Sequence, residues 1–462
     1  MFEVRVSTRW VYALGALAAV LFGYDGGIIG AAILFIPRDL PLTPLLEGAV
    51  VSATVFGAMV GALGSGPMAD RLGRQRVLLA AGMVFTVGAL GAGVAASIAM
   101  LVAFRLVVGL GVGIASVMVP LYLAEMAPAR DRGVVTSLNQ YMIIVGTALA
   151  AAVGYGLAFV GSWRWMLLIG VFPAVVLMAG MLVMPDTPRS LVRRGQAQRA
   201  REVLVGLRGD AALAEDELTE ITDLETRRYD TGAGARLSTP RLSTPWVRRL
   251  LLLGASLAIF QQVTGINMMV YYAPVVLTGF GLSTHTALLF GALNGALNIL
   301  TIALVVRAKV VDRQGRKPVL LAGLVGMSTS LFAVGAAALV LPAHSHALLA
   351  VAAVAFVAFT NTFSATWGPV LWVVLAEIFP LAIRGSAMAV ATLFNWLAAF
   401  GVSLSFPVLT ALAGPGAVFI GYAAAGVVIY PIVWRVVPET KEHSLESLEA
   451  AFRDAATARG GV

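Results

Sequence analysis

Long apolar runs constrain the fold of this chain more than any other feature of its sequence. An α-helix rises about 1.5 Å per residue, so about 20 apolar residues cross the roughly 30 Å hydrocarbon core of a bilayer. Runs of that order fall near residues 10–36, 47–67, 77–97, 100–123, 134–159, 163–184, 248–279, 286–310, 318–341, 348–378, 385–411 and 415–437. The sequence therefore predicts an all-α membrane protein with twelve transmembrane helices in two sets of six.

Composition agrees with a chain whose solvent is lipid. Hydrophobic residues make up 59% of the 462 residues and charged residues only 12%, too few to cover a soluble domain of this length. The net charge of +8 comes from short basic clusters between apolar runs, so we do not expect nucleic-acid binding. The absence of cysteine excludes disulfides and thiol chemistry. No nucleophile–base pair or metal-ligand cluster stands out, so we expect neither an enzyme nor a bound cofactor.

Loop charges predict the topology and the domains. The basic loops after the second, fourth, eighth and tenth runs fall on the same side as the polar segment at 185–247 and as both termini. Because positively charged loops stay in the cytoplasm, we expect both termini there. The predicted domains are an N-terminal six-helix bundle (1–184), a cytoplasmic linker with short amphipathic helices (185–247), a C-terminal six-helix bundle (248–437) and a cytoplasmic tail (438–462).

The two halves repeat each other at matched places. GPMADRLGRQR after the second run answers VVDRQGRKP after the eighth, AEMAPARDRG answers AEIFPLAIRG, and MPDTPR answers VPETK. Matched pairs in one order indicate duplicated six-helix bundles. Transporters built in this way bind their substrate near the bilayer midplane and expose it to each side in turn.

These motifs resemble one known family. FGYDGGIIG, RLVVGLGVGIASVMVPLYLAEMAP, PDTPRSL, QQVTGINMMVYYAP, WGPVLWVVLAEIFP and PETK extend over nearly the whole chain. Together they resemble the sugar porter family of the major facilitator superfamily, which includes bacterial xylose and glucose proton symporters and animal facilitative glucose transporters. The resemblance implies the major facilitator fold, with two pseudo-symmetric six-helix bundles, and a monosaccharide as substrate.

A polar stretch, QQVTGINMMVYY at 261–272, lies inside the apolar run at 248–279. At 100° per residue, Gln261 and Tyr272 share one face of an ideal helix and Asn267 and Tyr271 share another, so one straight helix cannot aim them all at one site. A helix interrupted at Gly265 could, and interrupted helices are typical of transporter sites. Amides suit a sugar because each offers a donor and an acceptor to a hydroxyl.

The resemblance implies sugar contacts at these and at matching positions elsewhere. The alternative is that such residues pack in the core or hydrogen-bond neighbouring helices. Asn294 and Asn298, which follow a different pattern from the family, receive no assignment. The predicted substrate-binding residues are Phe22, Gln140, Gln261, Gln262, Asn267, Tyr271, Phe363, Trp372, Asn395 and Trp396.

Asp25 and Arg105 are the residues whose burial in the membrane costs most free energy. A charge inside a span is rarely tolerated without a partner or a function. Counted along their spans, both lie about 8 Å from the outer face, so they can pair. The resemblance implies that Asp25 binds the transported proton, since the family's proton symporters carry Asp there. The alternative is a static ion pair.

Recurring charges at the predicted cytoplasmic side form a last group. Surface charge is by default a solvated face, but the twofold recurrence favours ion pairs between the halves that close the cytoplasmic side. Asp186 stands where the family usually has Glu, one methylene longer. The predicted gating residues are Asp70, Arg71, Arg74, Glu125, Arg132, Asp186, Asp312, Arg316, Glu377, Arg384 and Glu439.

The sequence thus predicts a proton-coupled monosaccharide symporter in a bacterial inner membrane, acting as a monomer, with the proton as coupling ion. Hexose is favoured over pentose because FNW at 394–396 resembles the glucose carriers. The alternatives are an uncoupled sugar or polyol facilitator and a sugar sensor without transport. A drug exporter is disfavoured because the fifth span lacks proline.

Overall fold

The computed structural model describes residues 8–128, 132–234, 244–308, 310–380 and 383–441. Within those ranges the regular structure is helical and no strand occurs. The predicted tail therefore lies outside the described residues beyond position 441, and so do the side chains of Arg132 and Asp312.

Helices of the first half begin and end within a few residues of the predicted apolar runs. They are α1 (Thr8–Ala32), α2 (Pro44–Leu72), α3 (Arg74–Gly93), α4 (Ile98–Met126), α5 (Arg132–Ala158), α6 (Trp163–Leu168) and α7 (Val171–Val183), with a 3-10 turn at Ile36–Arg38. A serine begins α4, where the Ser97 hydroxyl accepts the backbone N–H of Met100 at 3.2 Å. Such caps satisfy the donors that the first turn of a helix leaves unpaired.

The polar linker contains helices, as its amphipathic sequence predicts. They are α8 (Pro188–Arg193), α9 (Ala197–Arg208) and α10 (Ala211–Gly234). A small apolar core holds them together, formed by Leu191, Ala200, Leu204, Ala214 and Leu218. The linker is thus a packed helical element rather than an extended connection.

Helices of the second half are more often interrupted. They are α11 (Pro245–Val263), α12 (Ile266–Gly279), α13 (Thr284–Arg307), α14 (Val310–Gln314), α15 (Arg316–Val340), α16 (His346–Ala365), α17 (Trp367–Ile378) and α18 (Arg384–Val436). The helix α18 is 53 residues long and changes direction at Gly414, whose φ is 78°. It therefore supplies two spans, as the separate runs at 385–411 and 415–437 predict.

Eleven helical segments of the described chain are long and apolar enough to cross a membrane. The helix α18 is one of the eleven and supplies two spans because it changes direction at Gly414, which brings the number of spans to twelve. Several spans consist of two helices in series, namely α6 with α7, α11 with α12, and α16 with α17. The predicted all-α fold with twelve transmembrane spans is confirmed.

Two compact units divide the chain. One comprises Met1–Ile28, Ala53–Ala150 and Trp163–Ser238, and the other Ile29–Ser52, Ala151–Ser162 and Thr239–Val462. In the first, α3 packs against α4, α6 and α7; in the second, α15 packs against α16, α17 and α18. The equivalent helix therefore packs against equivalent neighbours in the two units, as a duplicated bundle predicts. The boundaries predicted at 184, 247 and 437 stay predictions.

Glycines of the GLGVG motif bring α4 close to its neighbours in the first unit. A side chain at Gly109 would collide with the backbone carbonyl of Thr54, and one at Gly113 with that of Ala58, both on α2. Small residues of this kind let membrane helices approach backbone to backbone. The motif therefore serves helix packing.

Candidate functional site

A buried ion pair joins α1 and α4 in the first unit. The Arg105 guanidinium contacts the Asp25 carboxylate, and only 1% of Arg105 and 6% of Asp25 are exposed. Thr54 of α2 donates its hydroxyl to the backbone carbonyl of Arg105 at 3.1 Å, which ties the same turn of α4 to another helix. The pair that the two depths predicted is present. Its part in proton movement stays a prediction.

Glycines beside Asp25 hold α1 against α5. A side chain at Gly23 would collide with the backbone carbonyl of Ile143, and one at Gly27 would press on Ala150. The Thr147 hydroxyl donates to the carbonyl of Gly23 at 3.2 Å. The FGYDGG motif therefore supplies the carboxylate and also allows α1 to pack closely against α5.

The helix break predicted at Gly265 separates α11 from α12. Gly265 has a φ of 93°, in the left-handed region that residues with a side chain rarely adopt. Its N–H donates to the carbonyl of Gln262 at 2.9 Å, and the Thr264 hydroxyl donates to that of Gln261 at 2.7 Å. The break changes the helical phase, so that residues before and after it meet, which a continuous helix would prevent.

Four amide side chains meet at this break, and we call them the amide relay: Asn267, Gln262, Asn395 and Gln261. Asn267 Nδ2 donates to Gln262 Oε1 at 2.9 Å, and Gln262 Nε2 donates to Asn395 Oδ1 at 3.1 Å. Asn395 Nδ2 then donates to Gln261 Oε1 at 2.9 Å. Three of these predicted residues lie on α11 and α12, and Asn395 comes from α18.

Backbone carbonyls anchor the far end of the amide relay. Gln261 Nε2 donates to the carbonyl of Trp367 at 3.0 Å, and Asn395 Nδ2 donates to that of Ala258 at 3.0 Å. Trp367 begins α17, directly after the interruption at Thr366. Sequence reasoning missed this anchor, which depends on a second helix break at Thr366. The available signal was Gly368 and Pro369, because proline cannot donate the N–H group that would continue the preceding helix.

Aromatic residues predicted to line the site differ in their burial. In the second unit, Tyr271 and Trp396 are buried, whereas Phe363 and Trp372 are half-buried. Tyr272 packs on Phe406, with ring centroids 5.0 Å apart, and its hydroxyl donates to the carbonyl of Ser403 at 2.7 Å. Tyr272 therefore joins helices of the core.

Predicted site residues also occur in the first unit. Phe22 on α1 and Gln140 on α5 are both half-buried. The contact of any of these ten residues with a substrate stays a prediction.

Carboxylates at the end of α4 and after α7 hold the start of α3 in the first unit. Arg74 Nη2 donates to Glu125 Oε1 at 3.1 Å, and the Thr187 hydroxyl also donates to Glu125. Asp186 Oδ1 accepts the backbone N–H groups of Arg74 at 3.0 Å and Gln75 at 3.3 Å. Asp186 therefore caps α3, where the positive end of the helix dipole favours a negative charge. Its shorter side chain reaches the helix start.

The second unit repeats this arrangement around α15. Arg316 Nη2 donates to Glu377 Oε1 at 3.0 Å, and the Thr440 hydroxyl donates to Glu377. Glu439 accepts the backbone N–H groups of Arg316 at 3.0 Å, Lys317 at 3.0 Å and Lys441 at 2.9 Å. Burial alone would raise the pKa of Glu439, but these N–H donors outweigh burial and hold that pKa below its usual value.

The other predicted gating residues vary in their contacts. Asp70 pairs with Arg193 of the linker, and Arg71 is exposed without an ion pair to any described residue. Arg384 donates to the carbonyl of Phe379 at 3.2 Å, and its Nη2 is buried without a hydrogen bond to the described residues. A gate formed by these charges stays a prediction.

Linker arginines complete the first cluster, although sequence reasoning did not single them out. Arg194 Nη1 donates to Asp186 Oδ2 at 3.1 Å, and Arg193 Nε donates to Glu225 Oε2 at 3.1 Å. Burial would lower the pKa of Arg193, but the carboxylates of Glu225 and Asp70 raise it above its usual value. The signal was the arginine pair that directly follows PDTPRSLV.

A polar cluster between α13 and α16 was also missed. Asn298 and Asn294, left unassigned from the sequence, hydrogen-bond to Ser364 at 2.9 Å and Thr360 at 3.0 Å respectively. Asn361 Nδ2 donates to Asn294 Oδ1 at 3.2 Å. These mutual bonds join two membrane helices, which is the ordinary role of amides in spans.

Comparison with known proteins gives consistent matches along the chain. The family model "Sugar (and other) transporter" matches residues 11–452. The D-xylose transporter of Levilactobacillus brevis is 40% identical, over 97% of this chain and 96% of its own length. The glucose transporter GlcP of Staphylococcus epidermidis is 37% identical, over 99% and 100%. The galactose-proton symporter of Escherichia coli is 34% identical, over 96% and 94%.

Among solved structures, the inward open conformation of the xylose transporter XylE from E. coli matches with a TM-score of 0.82. The identity is 29%, and the match covers 96% of this chain and 99% of that one. A family model that matches nearly the whole chain, together with relatives of this identity, shows that the chain belongs to the sugar (and other) transporter family and is a transporter, not an enzyme.

Proposed function

We propose that this chain is a proton-coupled monosaccharide symporter that works by alternating access and prefers a hexose. Its relatives include proteins named for xylose, glucose, galactose–proton and myo-inositol transport. We also propose that it acts as a monomer in the inner membrane of a bacterium. In this proposal both termini are cytoplasmic, because they fall on the same side as the basic loops of the sequence.

The observation that carries proton coupling is the buried pair of Asp25 and Arg105. A carboxylate inside a membrane span exists either charged beside its arginine or neutral, and burial opposes the charged form while the arginine favours it. A small rearrangement of α1 against α4 changes this balance and so binds or releases a proton. If the loaded carrier crosses readily only with Asp25 neutral, sugar and proton move together.

The amide relay supports sugar as the substrate. Its neutral amides offer hydrogen-bond donors and acceptors without a charge that would have to be buried. The half-buried rings of Phe363 and Trp372 lie in the same unit and supply apolar faces for the C–H groups of a sugar ring. A polyol is the second candidate ligand, because the major myo-inositol transporter IolT of Bacillus subtilis is 37% identical to this chain.

Alternating access needs contacts that form and break at the cytoplasmic side. The two charge clusters around α3 and α15 fit such a role because each gathers several buried or half-buried charges at a helix start. We propose that they stabilise one of the alternating states, as the recurrence of their motifs predicts. An uncoupled facilitator or a sensor would not require Asp25 to change its protonation.

Replacing Asp25 tests the coupling. Asp25→Asn mimics the neutral form permanently, so the variant should lose sugar accumulation driven by a pH gradient and still exchange labelled for unlabelled sugar across vesicles. Asp216→Asn, the same change at an exposed linker position, is the matched control and should accumulate sugar like the parent. If the Asp25→Asn protein still concentrates sugar under a pH gradient, the ion pair has only a structural role.

A further inference from the structure

The amide relay has a fixed direction, which its backbone anchors set. A carbonyl oxygen can only accept, so Gln261 and Asn395 must each turn an N–H toward the carbonyls of Trp367 and Ala258. Each amide oxygen then faces the N–H of the next amide, and the order runs outward through Gln262 to Asn267. The orientation of every amide thus depends on the anchored end.

The two ends of the amide relay differ in what they leave free. Asn395 uses both N–H groups, toward Ala258 and Gln261, and its oxygen accepts from Gln262. It is 7% exposed. Asn267 is half-buried and makes one hydrogen bond, so its oxygen and second N–H have no partner in the part of the chain that the structure describes. Gln262 likewise has one N–H group without a hydrogen-bond partner among the described residues.

We propose that Asn395 is a positioning residue, which acts on the ligand only through the amide relay, that is, through the predicted contacts Asn267 and Gln262. This inference rests on the proposed sugar-binding function and changes the role predicted for Asn395 from contact to support. The free groups are one carbonyl oxygen and adjacent N–H groups. They suit neighbouring hydroxyls of a monosaccharide or polyol ring, since a hydroxyl both donates and accepts.

Removal of either amide should weaken binding for different reasons. Without Asn267 the ligand hydroxyl loses its partner directly. Without Asn395 the oxygen of Gln261 and the N–H of Gln262 lose theirs, and Gln262 and Asn267 are no longer held in one orientation. Because the second effect passes through Asn267, it should add little once Asn267 is gone.

The test measures equilibrium binding of D-glucose, D-xylose and each monodeoxy analogue of D-glucose to the purified full-length protein. The variants are Asn267→Leu, Asn395→Leu and the double variant, since leucine keeps the volume and removes the amide. We expect each single change to weaken sugar binding about 5- to 150-fold. The dissociation constant of the double variant should lie within about twofold of that of the single variant that binds sugar less tightly. Asn395→Ser serves the same comparison where the leucine variant does not fold.

The deoxy analogues separate contact from support. The parent should bind worst the analogues that lack the hydroxyls facing Asn267 and Gln262, and Asn267→Leu should lose that discrimination. Asn395 variants should affect the same hydroxyls and no others. Losses that multiply in the double variant, or discrimination lost at a separate hydroxyl on changing Asn395, would make Asn395 a direct contact. A parent that binds neither sugar would overturn the proposed sugar site and this division with it.

Discussion

The cap that Asp186 forms on α3 gives a prediction whose size follows from its contacts. Asp186→Asn keeps one oxygen, which can still accept the N–H groups of Arg74 and Gln75. Its new NH2 group would face the Arg194 guanidinium and the Ser190 hydroxyl, which now donate to the carboxylate at 3.1 Å and 2.8 Å. The hydroxyl can turn to accept from the NH2 group, so the loss falls mainly on the guanidinium. A hydrogen bond to a charged group contributes about 1.5–3 kcal/mol.

Partial exposure of Arg194 limits that loss. About 21% of its side chain is exposed, against 6% for Asp186, so the guanidinium can turn toward water after the change. We therefore expect Asp186→Asn to cost about 2 kcal/mol, near the lower part of the range for a charged hydrogen bond. For a unit of this size that corresponds to a fall in Tm of about 4–8 °C.

Thermal unfolding of purified protein in detergent, followed by tryptophan fluorescence, measures this fall. Asp216→Asn is the matched control, because the residue is exposed and such surface changes stay within about 0.5 kcal/mol. Equal Tm values for Asp186→Asn and the parent would refute the idea that this carboxylate holds α3 and the linker together.

Two further predictions concern the second unit. The pKa of Glu439 is lowered, so the ionised carboxylate contributes to stability above its ordinary pKa of 4.5, and this contribution is lost as the pH falls below that value. Glu439→Gln should therefore lower the Tm at pH 7 and make the Tm fall less steeply in acid. Parallel profiles of Tm against pH for the variant and the parent would contradict this. Gly265→Ala should lower the free energy of unfolding by about 1–2 kcal/mol, because alanine disfavours the left-handed backbone there, and should weaken sugar binding. Gly279→Ala is the control and should do neither, because Gly279 has open space around it and no positive φ. Equal sugar affinity in both variants would contradict the need for the break.

Sequence patterns were sufficient for the spans and for some of the site. Apolar length predicted the helices, and helical rise alone placed Asp25 level with Arg105. The break at Gly265 followed from asking how one helix could present polar residues in different phases. These features depend on local geometry, which sequence spacing determines.

Other features depend on tertiary contacts and could not be read from spacing. The anchoring of Gln261 on the carbonyl of Trp367 requires the break at Thr366, and the pairing of Arg193 with Asp70 requires the folded linker. The motifs showed that Glu439 and Asp186 are equivalent. Only the structure shows that both carboxylates bind backbone N–H groups at a helix start.

The most direct test of proton-coupled sugar transport is proton uptake on sugar addition, measured with the parent protein in sealed vesicles and an external pH indicator. Vesicles start without a pH or sugar gradient, and D-glucose, D-galactose, D-xylose and myo-inositol are added in turn. The proposal predicts that the substrate raises the external pH as it enters, that an uncoupler abolishes this rise, and that Asp25→Asn shows none while still exchanging sugar. Entry of labelled sugar without any change in external pH would contradict coupling and identify an uncoupled facilitator.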